Sequence, residues 1–141
     1  MIIGLAFASG SVVTATIVTS LGSGSHIVSV NDVYGGTNRY FTKVANTLGI
    51  ETTFVDLNDP QNIVSALRPN TKLVWIETPT NPTLRLVDIK AVATLAHAHA
   101  SKPIVVVDNT FLSPYFQRPI DLGADVVVHS VTKVIFGSVL D

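Results

Sequence analysis

The chain alternates between short apolar runs and amphipathic stretches, with polar punctuation where one gives way to the other. Apolar runs recur at Ile2 to Ala8, His26 to Val30, Thr52 to Val55, Leu73 to Ile76, Ile104 to Val107 and Ala124 to Val128. Several are continuous in Val and Ile, as strands covered on both faces must be. Helical stretches lie between them. Ser11 to Leu21 follows a glycine, Thr37 to Leu48 is stopped by Gly49, Asp59 caps Pro60 to Leu67, and Asp88 caps Ile89 to Ala100. This alternation predicts one α/β domain with a mostly parallel sheet flanked by helices.

The punctuation carries the functional signal. Ser9-Gly10-Ser11, Tyr34-Gly35-Gly36-Thr37, Thr78-Pro79-Thr80-Asn81-Pro82, Asp108-Asn109-Thr110 and the segment ending in Lys133 each follow a predicted strand. Open α/β sheets bind ligands just beyond the carboxyl ends of their strands. The five marks therefore point to one crevice.

Composition sharpens this picture. The 141 residues suffice for one core, with 47% hydrophobic and only 13% charged residues. So little charge requires extensive burial, within a large sheet core or against other protein. Nine basic and ten acidic residues give a net charge of −1, which predicts no nucleic-acid footprint. The absence of cysteine excludes disulfides and thiolate metal sites. Met1 to Asn31 carries no Asp, Glu, Lys or Arg, yet Ser, Thr and Gly residues interrupt it, so no run of about 18 apolar residues forms. It also lacks the cationic start of a secretory signal. The expectation is a buried strand and helix, no membrane span and a cytoplasmic location.

Each candidate residue has a bland reading beside its functional one. Ser9-Gly10-Ser11 is either a plain strand-to-helix turn or a helix N-terminus offering free N–H groups to an anion. Asp108 ends a valine-rich run; it either caps a helix or holds its carboxylate against a cation, since burial without partners is costly. Lys133 follows an apolar run, and partial desolvation would leave the free amine that attack on an aldehyde requires. Ser130 and Thr132 supply two hydroxyls suited to a phosphate. Tyr34 is a turn aromatic or a stacking platform for a flat cofactor. His97 and His99 do not share a helical face, so no metal site is expected there; His26 and His129 read as structural.

Five motifs, "GLAFASG", "DVYGGTNRYF", "KLVWIETPTNPT", "VVVDNTFLSPYFQRP" and "GADVVVHSVTK", resemble the pyridoxal-phosphate enzymes of cysteine and methionine metabolism, in their cystathionine γ-lyase branch. The likeness runs from about Gly4 to Lys133. It implies part of the large domain of an aspartate-aminotransferase-like, fold-type-I enzyme, over residues 1–141, with an amino-terminal segment and a carboxy-terminal small domain absent. In that family Lys133 would be the covalent anchor of pyridoxal 5'-phosphate and the proton shuttle, and Asp108 would keep the pyridine nitrogen protonated. Tyr34 would stack on the ring and meet the substrate amino group. Asn81 would reach the phenolic oxygen. Gly10, Ser11, Ser130 and Thr132 would hold the phosphate, and Arg39 would contact substrate.

The implied activity is cleavage of L-cystathionine by α,γ-elimination to L-cysteine, 2-oxobutanoate and ammonia, within a homo-oligomer that binds neither nucleic acid nor membrane. The glycine at position 36 argues against methionine γ-lyases, where cysteine usually stands. A β-lyase or γ-synthase activity, or a non-catalytic fragment that binds the cofactor or docks on another subunit, are the alternatives. After Lys133 the chain retains only Ile135 and Gly137 of the family's pattern, so impaired catalysis is expected.

Overall fold

A computed structural model describes residues 3–135 and 137. Met1 and Ile2 of the first predicted strand, and Phe136 and residues 138–141 of the tail, lie outside the described residues.

The elements run in the order α1 (Gly10–Thr19), β1 (His26–Val30), α2 (Gly35–Arg39) leading into a π-helical turn (Tyr40–Ala45), β2 (Glu51–Val55), α3 (Asn62–Ala66), β3 (Thr71–Glu77), α4 (Ile89–Ala98), β4 (Ile104–Asp108), α5 (Ser113–Phe116), a 3₁₀ turn (Pro119–Leu122) and β5 (Val126–Val128). The five strands form one sheet in the order β2-β1-β3-β4-β5, and every pairing is parallel. β1 is buried from end to end, as are Val105 to Val107 of β4, so the valine-rich runs are covered on both faces. Trp75 of β3 is fully buried and meets Phe41 edge-on, with ring centroids 5.6 Å apart. α3 packs against α4, and α1 packs against α2 and the π-helical turn.

Two caps match the sequence expectation. The Asp88 carboxylate accepts the Ala91 N–H at 2.9 Å at the start of α4, and Gly49 takes a left-handed φ of 73° after the helical stretch. Asp59 differs. It accepts the Gln61 N–H at 3.0 Å in a preceding turn, and α3 begins only at Asn62.

The first predicted strand is a correction. Residues 3–7 form no strand, and Leu5 is 78% exposed. An apolar run becomes a strand only where a ladder partner accepts its backbone groups, and among the described residues this segment has none. Tyr115 and Phe116 are likewise 86% and 74% exposed, so part of the apolar surplus is left on the surface. Among the described residues, no helix is long and apolar enough to cross a membrane.

Candidate functional site at the carboxyl ends of the strands

β1 and β3 are neighbours, but the chain leaves them in opposite directions. From β1 it passes through α2 to the edge strand β2; from β3 it passes through α4 to β4. Diverging connections open a crevice at this point of the sheet. A cavity of about 490 Å³ lies there, within the range of small-molecule sites. Its walls include Gly10, Ser11, Tyr34, Asn81, Asp108, Ser130, Thr132 and Lys133. Eight of the nine residues singled out in the sequence thus share one hollow.

Arg39 is not on that wall. Gly36, Thr37 and Tyr40 line the cavity from one helical face, and Arg39 is turned out and exposed. The expected burial of Lys133 is also corrected. Lys133 lies in the turn 131–135, where every residue is exposed, so this side of the cavity is open.

Asp108 closes β4. The Thr110 hydroxyl and N–H donate to its Oδ1 at 2.6 and 3.1 Å. Among the described residues its Oδ2 receives no donor. Burial pushes this carboxyl upward, while the Thr110 hydrogen bonds and the nearby His129 pull it down. The Thr110 hydroxyl oxygen also accepts the Ser130 N–H at 2.9 Å, which ties the loop after β5 to the Asp108 loop. His129 lines the same wall, its Nδ1 buried without a partner among the described residues, and burial lowers its pKa against the pull of Asp108.

Glu77 closes β3 directly beside Asp108, with which it pairs in register. It is only 7% exposed, and its Oε2 accepts the Tyr34 N–H at 3.0 Å. Burial, reinforced by Asp108 and Asp32, raises its pKa to about 7 against the pull of the Tyr34 and Asn81 N–H groups. Sequence reasoning missed Glu77 and Thr110. Their signal was position alone: Glu77 ends an apolar strand as Asp108 does, and Thr110 lies two residues beyond that aspartate.

Tyr34 precedes α2, is 53% exposed, and folds its ring over Gly36. A Cβ added at Gly36 would stand 2.5 Å from the ring, so any side chain there would move the tyrosine. Asn81 sits between Thr80 and Pro82 in the loop after β3, with the Thr78–Pro79 and Asn81–Pro82 bonds both cis.

The donor set fits pyridoxal phosphate. α1 is ten residues long, has no acidic residue in its first turn, and points the free N–H groups of its N-terminus at the cavity. A Cβ on Gly10 would touch the Ser130 side chain at 3.4 Å, so the glycine keeps space beside that hydroxyl. The Ser130 and Thr132 hydroxyl oxygens are 3.4 Å apart. An anion cradle at one end, a carboxylate with a free oxygen and an aromatic face together match a flat, phosphorylated, basic ring. No cluster of three metal-ligating side chains occurs among the described residues.

Comparison with known proteins identifies similar chains. A cystathionine gamma-lyase of Saccharomyces cerevisiae is 61% identical over 138 residues, covering 95% of this chain and 34% of the relative. Proteins of the same name from Dictyostelium discoideum and Homo sapiens are 54% and 53% identical over 133 residues, covering 94% of this chain and 34% and 33% of the relatives. The chain thus spans about a third of the length of the curated relatives it matches. The family description "Cys/Met metabolism PLP-dependent enzyme" matches residues 3–139, and the chain belongs to that family.

Proposed function

We propose that this chain supplies the cofactor-binding part of a carbon–sulfur lyase that converts L-cystathionine and water to L-cysteine, 2-oxobutanoate and ammonia. The observation that carries the reading is the convergence of Lys133, Asp108, Tyr34, Asn81 and the α1 N-terminus on one cavity. The names of its relatives support the choice of substrate.

When bound, pyridoxal phosphate supplies an electron sink for charge developing at the substrate α carbon. The chain's own groups do the rest. Lys133 would hold the group through its Nζ, and as a free amine it would take and return protons along the substrate chain. Asp108 would keep a proton on the ring nitrogen by opposite charge. The Tyr34 ring would cover one ring face, and the Asn81 amide would donate to the ring oxygen. The N–H groups of Gly10 and Ser11, with the Ser130 and Thr132 hydroxyls, would hold the phosphate. Arg39, exposed on α2, remains a substrate contact only if substrate extends beyond this cavity.

A cytoplasmic, homo-oligomeric enzyme is part of the proposal, and the exposed Tyr115 and Phe116 are consistent with burial by further protein. The exposure of Lys133 favours a second reading, in which this chain alone holds the cofactor without turnover. Product analysis separates the readings. Cystathionine treated with the cofactor-loaded protein should yield cysteine and 2-oxobutanoate. Pyruvate and homocysteine would make it a β-lyase, and no product despite bound cofactor would favour the second reading.

A further inference from the structure

Two loops that leave neighbouring strands in opposite directions have no reason to keep a fixed separation unless something ties them. Surface loops at strand ends are ordinarily the mobile part of such a fold. Here two carboxylates tie them, Asp32 in the first loop and Glu77 where β3 runs into the second. Asp32, in the loop after β1, accepts the Thr80 hydroxyl at 2.5 Å, the Thr83 N–H at 3.2 Å and the Thr83 hydroxyl, all from the loop after β3. Glu77, at the end of β3, accepts the Tyr34 N–H from the loop after β1 at 3.0 Å.

Neither carboxylate serves a more ordinary purpose. Tyr34, not Asp32, occupies the position before α2, and no side chain caps that helix. Glu77 lies beside Asp108 in register, so a second buried carboxyl there adds repulsion rather than stability. With its pKa near 7 it still accepts the Tyr34 N–H when protonated. The hydrogen bonds from Thr80 and Thr83 hold Asp32 below the usual carboxylate range. Thr80 is fully buried, and its hydroxyl oxygen also accepts the Arg85 N–H at 2.9 Å, which closes the loop on itself.

We infer that Asp32 and Glu77 form a reciprocal clasp across the crevice and are positioning residues that set the separation of Tyr34 from Asn81. Tyr34 is two residues from Asp32 and is held by Glu77 through its own N–H. Asn81 is next to Thr80, which Asp32 holds. Slack at either carboxylate therefore passes directly to a cavity wall. That this separation matches a cofactor ring rests on the function proposed above; the clasp itself rests on the hydrogen bonds.

Amide hydrogen exchange on the cofactor-free chain tests the coupling. Replacing Glu77→Met should speed exchange of the Tyr34 amide about tenfold, the loss expected for one charge-assisted hydrogen bond, and should also speed the Thr83 amide severalfold. Asp32→Ala should do the reverse, fastest at Thr83 and severalfold at Tyr34. Glu77→Gln keeps an acceptor and should restore both amides. Thr83→Ala, a change at an exposed side chain that leaves the fold intact, should shift both amides in the same direction by less.

A second readout is equilibrium binding of pyridoxal phosphate, which Asp32→Ala should weaken about tenfold while borohydride still fixes the label on Lys133. Exchange changes confined to the amide nearest each substitution would overturn the clasp and leave the proposed function standing. Unchanged cofactor affinity in Asp32→Ala would overturn the positioning role. Coupled exchange in a chain that takes up no pyridoxal phosphate would uphold the clasp and remove the proposed function.

Discussion

The two ends of the same sheet treat buried titratable groups in opposite ways. At the start of β1, His26 is fully buried, and both ring nitrogens have partners: Nδ1 meets the Thr71 hydroxyl at 2.8 Å and Nε2 the Thr53 hydroxyl at 2.9 Å. Burial and the nearby Arg68 lower its pKa, so the ring is kept neutral and satisfied. At the other end, Glu77 and Asp108 stand side by side, both pushed upward, beside a histidine whose Nδ1 has no partner among the described residues. The histidine buried for stability is given both its hydrogen bonds. One buried at a binding site is left with capacity to spare.

Four substitutions test that contrast, with the largest expected effect first and the smallest last. His26→Ala leaves the Thr53 and Thr71 hydroxyls without the imidazole and opens a cavity, and should cost about 3 kcal/mol in thermal or urea unfolding. Borohydride labelling of the folded variant by pyridoxal phosphate should be unchanged; a loss of labelling would blur the distinction between the two ends.

Asp108→Ala acts on the other side of the comparison. It should weaken pyridoxal phosphate binding roughly 10- to 100-fold by equilibrium dialysis, with a melt close to that of the parent. A large loss of stability with unchanged affinity would make Asp108 another structural residue.

Glu77→Gln reads the strain of the paired carboxyls. A carboxyl raised from 4.5 to about 7 on folding binds more protons in the folded state, so its contribution is greatest below pH 4.5 and is lost as pH rises through 7. Burial sets the direction, and Asp108 and Asp32, which face Glu77, reinforce it. The variant should therefore gain stability over the parent as pH rises, by on the order of 2–3 kcal/mol at pH 8. A difference that does not change with pH would contradict it.

Ser9→Ala gives the smallest effect. Its hydroxyl oxygen accepts the Val12 N–H at 3.3 Å, a long cap on an exposed helix start, and about 1 kcal/mol or less should be lost. A larger loss would mean that α1 depends on its cap more than on packing.

The sheet was legible in the sequence because strands covered on both faces have no choice but to be apolar. His26 to Val30 coincides with β1, and the Leu73 to Ile76 and Ile104 to Val107 runs grow by one to three residues at their ends. Ile2 to Ala8 reads the same way, yet its described part, residues 3–8, is not a strand, because composition carries no information about a ladder partner. The site was legible where polar punctuation followed a strand, which brought Tyr34, Asn81, Asp108 and Lys133 together. Glu77 was not, since the last residue of an apolar run looks like its boundary. Asp32 was missed because a clasp exists only between loops distant in sequence. Arg39 was misplaced because a motif does not say which way a helix turns its residues.

The central claim is that the hollow beyond the strands seats pyridoxal phosphate with Lys133 as its anchor. The most direct test is to incubate the chain with pyridoxal phosphate, reduce with borohydride and map the pyridoxyl label by peptide mass spectrometry. The label should fall on Lys133 and disappear in Lys133→Ala. Label spread over Lys43, Lys72, Lys90 and Lys102, at levels equal to Lys133, would contradict it.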